Sequence, residues 1–178
     1  MKNVLLLYSA ALMSTTISAQ LQLFTPDSGE FFTQGVGEYL AISEDVGTTG
    51  QVWDFSGMTT LQSYSANFVS VESTNFGKSF ANADIALETD ITSAYYAYDG
   101  AYQFFGGAEN ELIVAYTDSE EYFPLPFNVD DSWEDTFAAT FGAAGITFER
   151  SGTISTNCLA QGSLTLPGGQ VLEDAYRI

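Results

Sequence analysis

Apolar and polar positions alternate with a period of two along much of the chain, the spacing that sends successive side chains of an extended strand to opposite faces. In Gln51-Val52-Trp53-Asp54-Phe55 the alternation sets Trp53 and Phe55 on one face and Asp54 on the other. Ile146-Thr147-Phe148-Glu149 repeats the pattern, and residues 152–156 are expected to continue it past a bulge. Residues 38–42, 65–71 and 111–116 are further strand candidates, as are residues 133–138, where Trp133, Asp135 and Phe137 share a side.

The most specific local signal is Thr92-Ser93-Ala94-Tyr95-Tyr96-Ala97-Tyr98, then Asp99-Gly100, then Ala101-Tyr102-Gln103-Phe104-Phe105. Asp-Gly between two aromatic runs predicts a hairpin with a two-residue turn, because both central positions need positive φ. That register sets Tyr98 opposite Ala101, Tyr96 opposite Gln103 and Tyr95 opposite Phe104. Near the end of the sequence, residues 163–166 turn at Pro167-Gly168-Gly169 and return as residues 171–178. Helix signals are weak: residues 138–145 are cut by Gly142 and Gly145, each costing about 1 kcal/mol inside a helix. A short turn is expected near residues 84–88. About nine or ten strands, with turn signals roughly every 8–12 residues, predict an all-β fold, an antiparallel sandwich or barrel-like meander.

The first nineteen residues follow a different logic and read as a signal peptide. Lys2 supplies a short basic start, residues 4–13 form an apolar run, and small residues lead to Ala19, the composition of an export signal cut before Gln20. The run is shorter than the roughly 20 apolar residues that cross a bilayer. Residues 20–178 are then expected to form a single β-rich domain, secreted or displayed at the cell surface. Its length is 178 − 19 = 159 residues, enough for a sizeable core.

Charge narrows the choice of partners. The sequence has 23 acidic residues against 4 basic ones and no histidine, a net charge of −19. Loss of Lys2 with the signal leaves 3 − 23 = −20. No basic patch can be assembled to neutralise phosphates, which excludes nucleic acid and argues against anionic membrane surfaces. The acids are scattered rather than clustered, so a solvated surface accounts for them better than a basic partner does.

Missing residue types exclude further chemistry. Without histidine there is no Ser-His-Asp triad, no Cys-His pair and no histidine metal site. Cys158 stands alone, so it has no disulfide partner within the chain and reads as a small core residue. No phosphate-binding glycine loop occurs. Carboxylates remain, and a glycan hydrolase needs two of them about 5–9.5 Å apart, for instance Asp54 with an acid from another strand. No catalytic residue can be named, because with so many acids some pair meets that distance by chance.

Two ligand sites are worth stating as expectations. Asn128-Val129-Asp130-Asp131-Ser132-Trp133-Glu134-Asp135 is the densest acidic segment. Asp130, Asp131 and Glu134 are candidate calcium ligands, since Ca²⁺ takes six to eight oxygens, although the spacing is not that of an EF-hand. A polar connection entering a strand at Trp133 explains the same residues. Trp53, Trp133, Tyr95, Tyr96, Tyr98 and Tyr102 are candidate platforms for stacking sugar rings, and core packing is the competing account of most of them.

Three short segments resemble a recurring pattern in exported bacterial proteins. Val52-Trp53-Asp54-Phe55-Ser56-Gly57 is similar to an early "W-D-F-S-G" element. Pro124-Leu125-Pro126-Phe127 with Asp131-Ser132-Trp133 is similar to a "P-L-x-(gap)-D-S-W" element. Gly162-Ser163-Leu164-Thr165-Leu166-Pro167-Gly168-Gly169 resembles "G-x-L-T-L-P-G-G", followed by a strand ending in the triplet Tyr176-Arg177-Ile178. The resemblance spans residues 52–178 and is to the N-terminal β-rich region of proteins that carry a C-terminal type IX secretion sorting domain. It implies export and a longer natural product continuing into that domain, which this sequence lacks, and it carries over no catalytic residue. The combined expectation is a non-catalytic exported β-domain for surface display, adhesion or ligand binding, with a glycan or a surface protein as ligand. The alternative is a carboxylate-dependent glycan hydrolase. No cofactor is expected beyond calcium.

Overall fold

The structure is a computed structural model, which describes residues 26–37 and 47–178. The signal segment 1–19 and the strand expected at 38–42 lie outside the described residues. Among the described residues the fold is all-β. Its strands are β1 (Phe31–Gly37), β2 (Gln51–Asp54), β3 (Thr60–Ser70), β4 (Ile85–Glu88), β5 (Thr92–Ala97), β6 (Ala101–Glu109), β7 (Leu112–Pro124), β8 (Ser132–Ala143), β9 (Ile146–Asn157), β10 (Ala160–Thr165) and β11 (Val171–Arg177). Eleven strands replace the nine or ten expected. The difference includes β4, which occupies the segment expected to be a short turn. Two 3₁₀ turns, Val71–Ser73 and Gly77–Ser79, lie between β3 and β4.

Eight strands form one sheet in the order β1-β3-β4-β5-β6-β7-β8-β9, antiparallel throughout and not closed into a barrel. β2 leaves this meander and joins a three-stranded sheet of order β11-β10-β2, in which β10 and β2 run parallel. The expected antiparallel meander is thus present, and the β10–β2 pair adds one parallel pairing beside it. Parallel neighbours need a long crossover, and here the meander from β3 to β9 supplies it.

The long β8–β9 hairpin shows how local chemistry decides strand geometry. Ala144 and Gly145 take φ of 51° and 78° at its tip. From Ala143↔Ile146 to Ser132↔Asn157 the register has no shift. The bulge expected near Gly152 is therefore absent. Gly152 instead lies under the Phe137 ring, whose Cζ would sit 2.7 Å from an added Cβ.

The aromatic hairpin is present, but its turn differs from the expected one. Ala97 pairs with Gln103 and Tyr96 with Phe104, one residue off the expected register; between the strand ends at Ala97 and Ala101 lie Tyr98, Asp99 and Gly100, a three-residue connection. Gly100 has φ 75°, whereas Asp99 is not among the residues of positive φ. This fits a turn closed by one left-handed glycine, the next most common hairpin class after the two-residue turn. Beyond Phe104 the register shifts, Tyr95 pairing with Gly106 so that Phe105 is the extra residue of a bulge.

Two clusters make the core. On one face of the sheet Phe80 stacks on Tyr95 with ring centroids 3.8 Å apart, beside Val71 and Ala86. Tyr95 is fully buried and its hydroxyl bonds to Thr74 Oγ1 at 2.8 Å. The β3–β4 connection thus covers this face. The second cluster joins Phe123, Phe127 and Cys158, with Trp133 and Tyr176 packed against it.

Candidate functional site

The opposite face of the sheet carries a continuous row of aromatic rings. The observed hairpin register places Tyr96, Tyr98, Tyr102 and Phe104 on this face, with Tyr95 and Phe105 on the other. Neighbouring centroids are 5.2 Å apart for Tyr98–Tyr102, 5.6 Å for Tyr96–Tyr102 and 5.3 Å for Tyr96–Phe104. The row continues through Phe104–Tyr116 at 5.4 Å and Tyr116–Phe137 at 5.8 Å, with Tyr122 branching from Tyr102 at 5.0 Å. Each of these rings is half-buried: its edge or face reaches solvent while its neighbours hold it in place. Such offset and tilted pairs contribute about 0.5–1.5 kcal/mol each beyond area burial.

The phenols of this row are poor acids. Burial raises Tyr98 to about 12 and Tyr122 to about 12, with Tyr96 and Glu120 adding charge repulsion respectively. Burial also raises Tyr96, Tyr116 and, most strongly, Tyr102. The rings therefore stay neutral in any physiological solution and present hydroxyls that donate and accept. Glu120 lies among them at 9% exposure.

Beside the row lies a groove of about 290 Å³. Its floor is made of small or short residues, Ala94, Gly107 and Val114, and its wall of Phe104 and Tyr116. Gly107 keeps the floor low, because an added Cβ would come within 2.9 Å of the Ser93 carbonyl oxygen. Arg150, from β9, lines the same groove, with its guanidinium carbon 5.5 Å from the Tyr116 centroid and 5.4 Å from that of Phe137. The Tyr116 hydroxyl is buried and has no hydrogen-bond partner among the described residues.

The structure separates the residues expected to form platforms. Tyr96, Tyr98 and Tyr102 belong to the aromatic row, Tyr102 also packing against the second core cluster with its ring centroid 5.7 Å from that of Phe123. Trp53 is 6% exposed and Tyr95 fully buried, so neither can stack a ligand. Trp133 packs against the second core cluster and donates from Nε1 to the Glu121 carbonyl at 3.2 Å. Phe104, Tyr116, Tyr122, Phe137 and Arg150 were not singled out as platform or binding residues from the sequence. Their alternation with polar neighbours is visible there, but their common face depends on how β5 to β9 pair.

The acidic candidates fare differently. Asp130 is exposed with φ 73° and its N–H donates to the Cys158 carbonyl at 2.8 Å. The Asp131 carboxylate accepts from Asn128 N at 2.7 Å and Asn128 Nδ2 at 2.9 Å, closing a local turn. Glu134 is exposed on β8, where it accepts from Ser155 Oγ at 3.4 Å. No group of three or more acidic or cysteine side chains converges on a metal-sized site among the described residues. Asp54 is likewise occupied locally, accepting from Ser56 N at 2.8 Å; the Ser56 hydroxyl first, and then this N–H, hold its carboxyl below the usual range. Cys158 is buried, and burial followed by the charges of Asp131 and Asp130 pushes its thiol up, away from thiolate chemistry.

The three motif segments meet structurally rather than chemically. Trp53 lies opposite Leu164 in the parallel pair, and Phe55 N donates to the Thr165 carbonyl at 2.8 Å. Phe127, Trp133 and Tyr176 share the second core cluster. No family model, curated protein or solved structure matches the chain.

Proposed function

We propose that this chain is a non-catalytic, exported β-domain that binds glycans on its aromatic face, serving surface display or adhesion within a larger secreted protein. The observation that carries the reading is the continuous, half-exposed row from Tyr98 to Phe137 beside a shallow groove. Sugar rings present apolar C–H faces edged by hydroxyls, and a row of neutral phenol and phenyl rings offers both stacking surface and hydrogen-bonding tips. The opposite face is occupied by Phe80 and its connection, whereas the rings of the aromatic face stay half-exposed, even Tyr102 and Tyr122, which also pack against the second core cluster. Export rests on the N-terminal sequence, and association with type IX secretion rests on the three short motifs.

The hydrolase alternative has less to support it. It requires two carboxyl groups facing one another across a cleft, and the groove is lined by one, Glu109. Affinity electrophoresis of the secreted protein through gels containing soluble polysaccharides, neutral and acidic, tests the proposal. Retardation by at least one polymer, weakened about tenfold by Tyr98→Ala without loss of fold, is the expected result. Retardation unchanged by Tyr98→Ala, Tyr102→Ala and Phe104→Ala would remove the aromatic face from the binding surface. Release of reducing ends from the polymer would favour the hydrolase.

A further inference from the structure

Arg150 occupies an unusual position for a cation in so acidic a chain. Lys78, Arg150 and Arg177 are the basic residues among the described ones, set against acids throughout the sequence. Among the described residues the contacts that hold Arg150 are ring faces, those of Tyr116 and Phe137, rather than a carboxylate. Stacking orients the guanidinium plane while leaving its edge, with the N–H donors, available. Arg150 belongs to the lining of the groove described above, as does Tyr116, whose buried hydroxyl lacks a partner among the described residues. The groove's other charged residue is Glu109, a carboxylate able to accept from hydroxyl groups.

From this arrangement we infer that the groove selects sugars bearing a carboxylate, namely uronic acid residues, with Arg150 as the specificity-determining residue. The inference rests on the glycan-binding reading and deepens it. A carboxylate accepts two parallel N–H bonds from one guanidinium, a charge-assisted pair about twice as strong as neutral hydrogen bonds. The ring carbons of the same sugar pack over Phe104 and the low floor at Ala94 and Gly107, and its hydroxyls reach Glu109. The acidic surface elsewhere does not prevent this, because at physiological ionic strength charges beyond about 8 Å are largely screened. A neutral hexose lacks the group that Arg150 is oriented to hold, so discrimination comes from one charged contact.

The test uses oligogalacturonates and the same oligomers after chemical reduction of their carboxyl groups to primary alcohols, which preserves linkage and length. Titration calorimetry on the secreted protein is expected to show at least tenfold tighter binding of the acidic form. Arg150→Gln should abolish that preference, bringing the affinities for the acidic and the reduced oligomers to within twofold of each other. Arg150→Lys, which keeps the charge without the planar fork, should restore less than half of the preference on a logarithmic scale. Melting curves of each variant confirm that the fold is retained. Equal wild-type affinity for the two oligomers overturns the inference, as does a preference that survives Arg150→Gln. Binding of neutral glycans alone overturns it while leaving the aromatic platform standing, whereas failure to bind any polysaccharide overturns both.

Discussion

Replacing Gly106 by alanine tests whether the β6–β7 pairing that orders the aromatic row is as tight as the geometry requires. Gly106 has φ 118°, and an added Cβ would lie 1.9 Å from the Val114 carbonyl oxygen and 3.2 Å from Phe80 Cε1. The backbone conformation alone costs an L-residue about 1–3 kcal/mol. The Val114 oxygen must also retreat by about 1 Å to reach the 3.0 Å that real Cβ atoms respect. That movement disturbs the Gly106↔Ala115 and Gly107↔Val114 pairs, and losing one or two hydrogen bonds adds about 0.5–1.5 kcal/mol each. The sum is about 4 kcal/mol, a large part of the 5–15 kcal/mol that stabilises an ordinary domain. Gly145→Ala is the internal control, since Gly145 has φ 78° with nothing within 4 Å of an added Cβ. It carries only the left-handed penalty, about 1–2 kcal/mol. Urea denaturation should therefore rank Gly106→Ala at least 2 kcal/mol below Gly145→Ala, and its melting temperature should fall on the order of 10 °C. Equal destabilisation by the two substitutions would refute the close approach of β7 to Gly106, and with it the placement of Tyr116 beside Phe104.

Other consequences are open to direct measurement. Phe80→Ala removes a 2%-exposed ring stacked on Tyr95 and should cost about 3–5 kcal/mol in denaturant titration. Tyr95→Phe, which loses only the bond to Thr74, should cost about 1 kcal/mol; comparable losses would contradict a core built on ring stacking. The raised phenol values predict alkaline sensitivity: with Tyr98 and Tyr122 near 12 in the folded chain against an ordinary value of 10.0, the folded state retains protons that the unfolded state releases. Stability is thus whole below about pH 10 and declines as pH rises through the folded values. Tyrosinate absorbance should lag behind that of free tyrosine until the chain unfolds, and a complete titration near pH 10 in folded protein would contradict the burial of the row. If Asp130, Asp131 and Glu134 take calcium, millimolar CaCl₂ should raise the melting temperature beyond the effect of MgCl₂ at matched ionic strength; equal rises would mean charge screening alone.

Much of this architecture was legible along the chain, because strand formation depends on short-range alternation. Trp53 and Phe55 opposite Asp54, and the Asp-Gly junction after Tyr98, identify strands and a turn from neighbours only a few residues apart. The all-β fold follows from many such signals. The C-terminal turn at Gly168-Gly169, with φ 92° and 85°, was equally evident, since few residues other than glycine tolerate those angles.

Register was a different matter. Two- and three-residue loops are both compatible with Asp99-Gly100, and the energy that separates them comes from packing of the flanking rings. A one-residue change in register alters which cross-strand neighbours share a face, so the row from Tyr98 to Phe137 could not be read before pairing was known. The same holds for the parallel pair of β2 with β10, which joins segments more than a hundred residues apart through a meander that neither segment encodes. It also holds for Arg150, an ordinary cation in an alternating strand until β8 and β9 bring it over Tyr116 and Phe137. Local sequence determined where strands form and where they turn, because dihedral preference and side-chain alternation act between neighbours. The tertiary structure alone decided which face each ring shares, because that choice is made by contacts between strands distant in the chain.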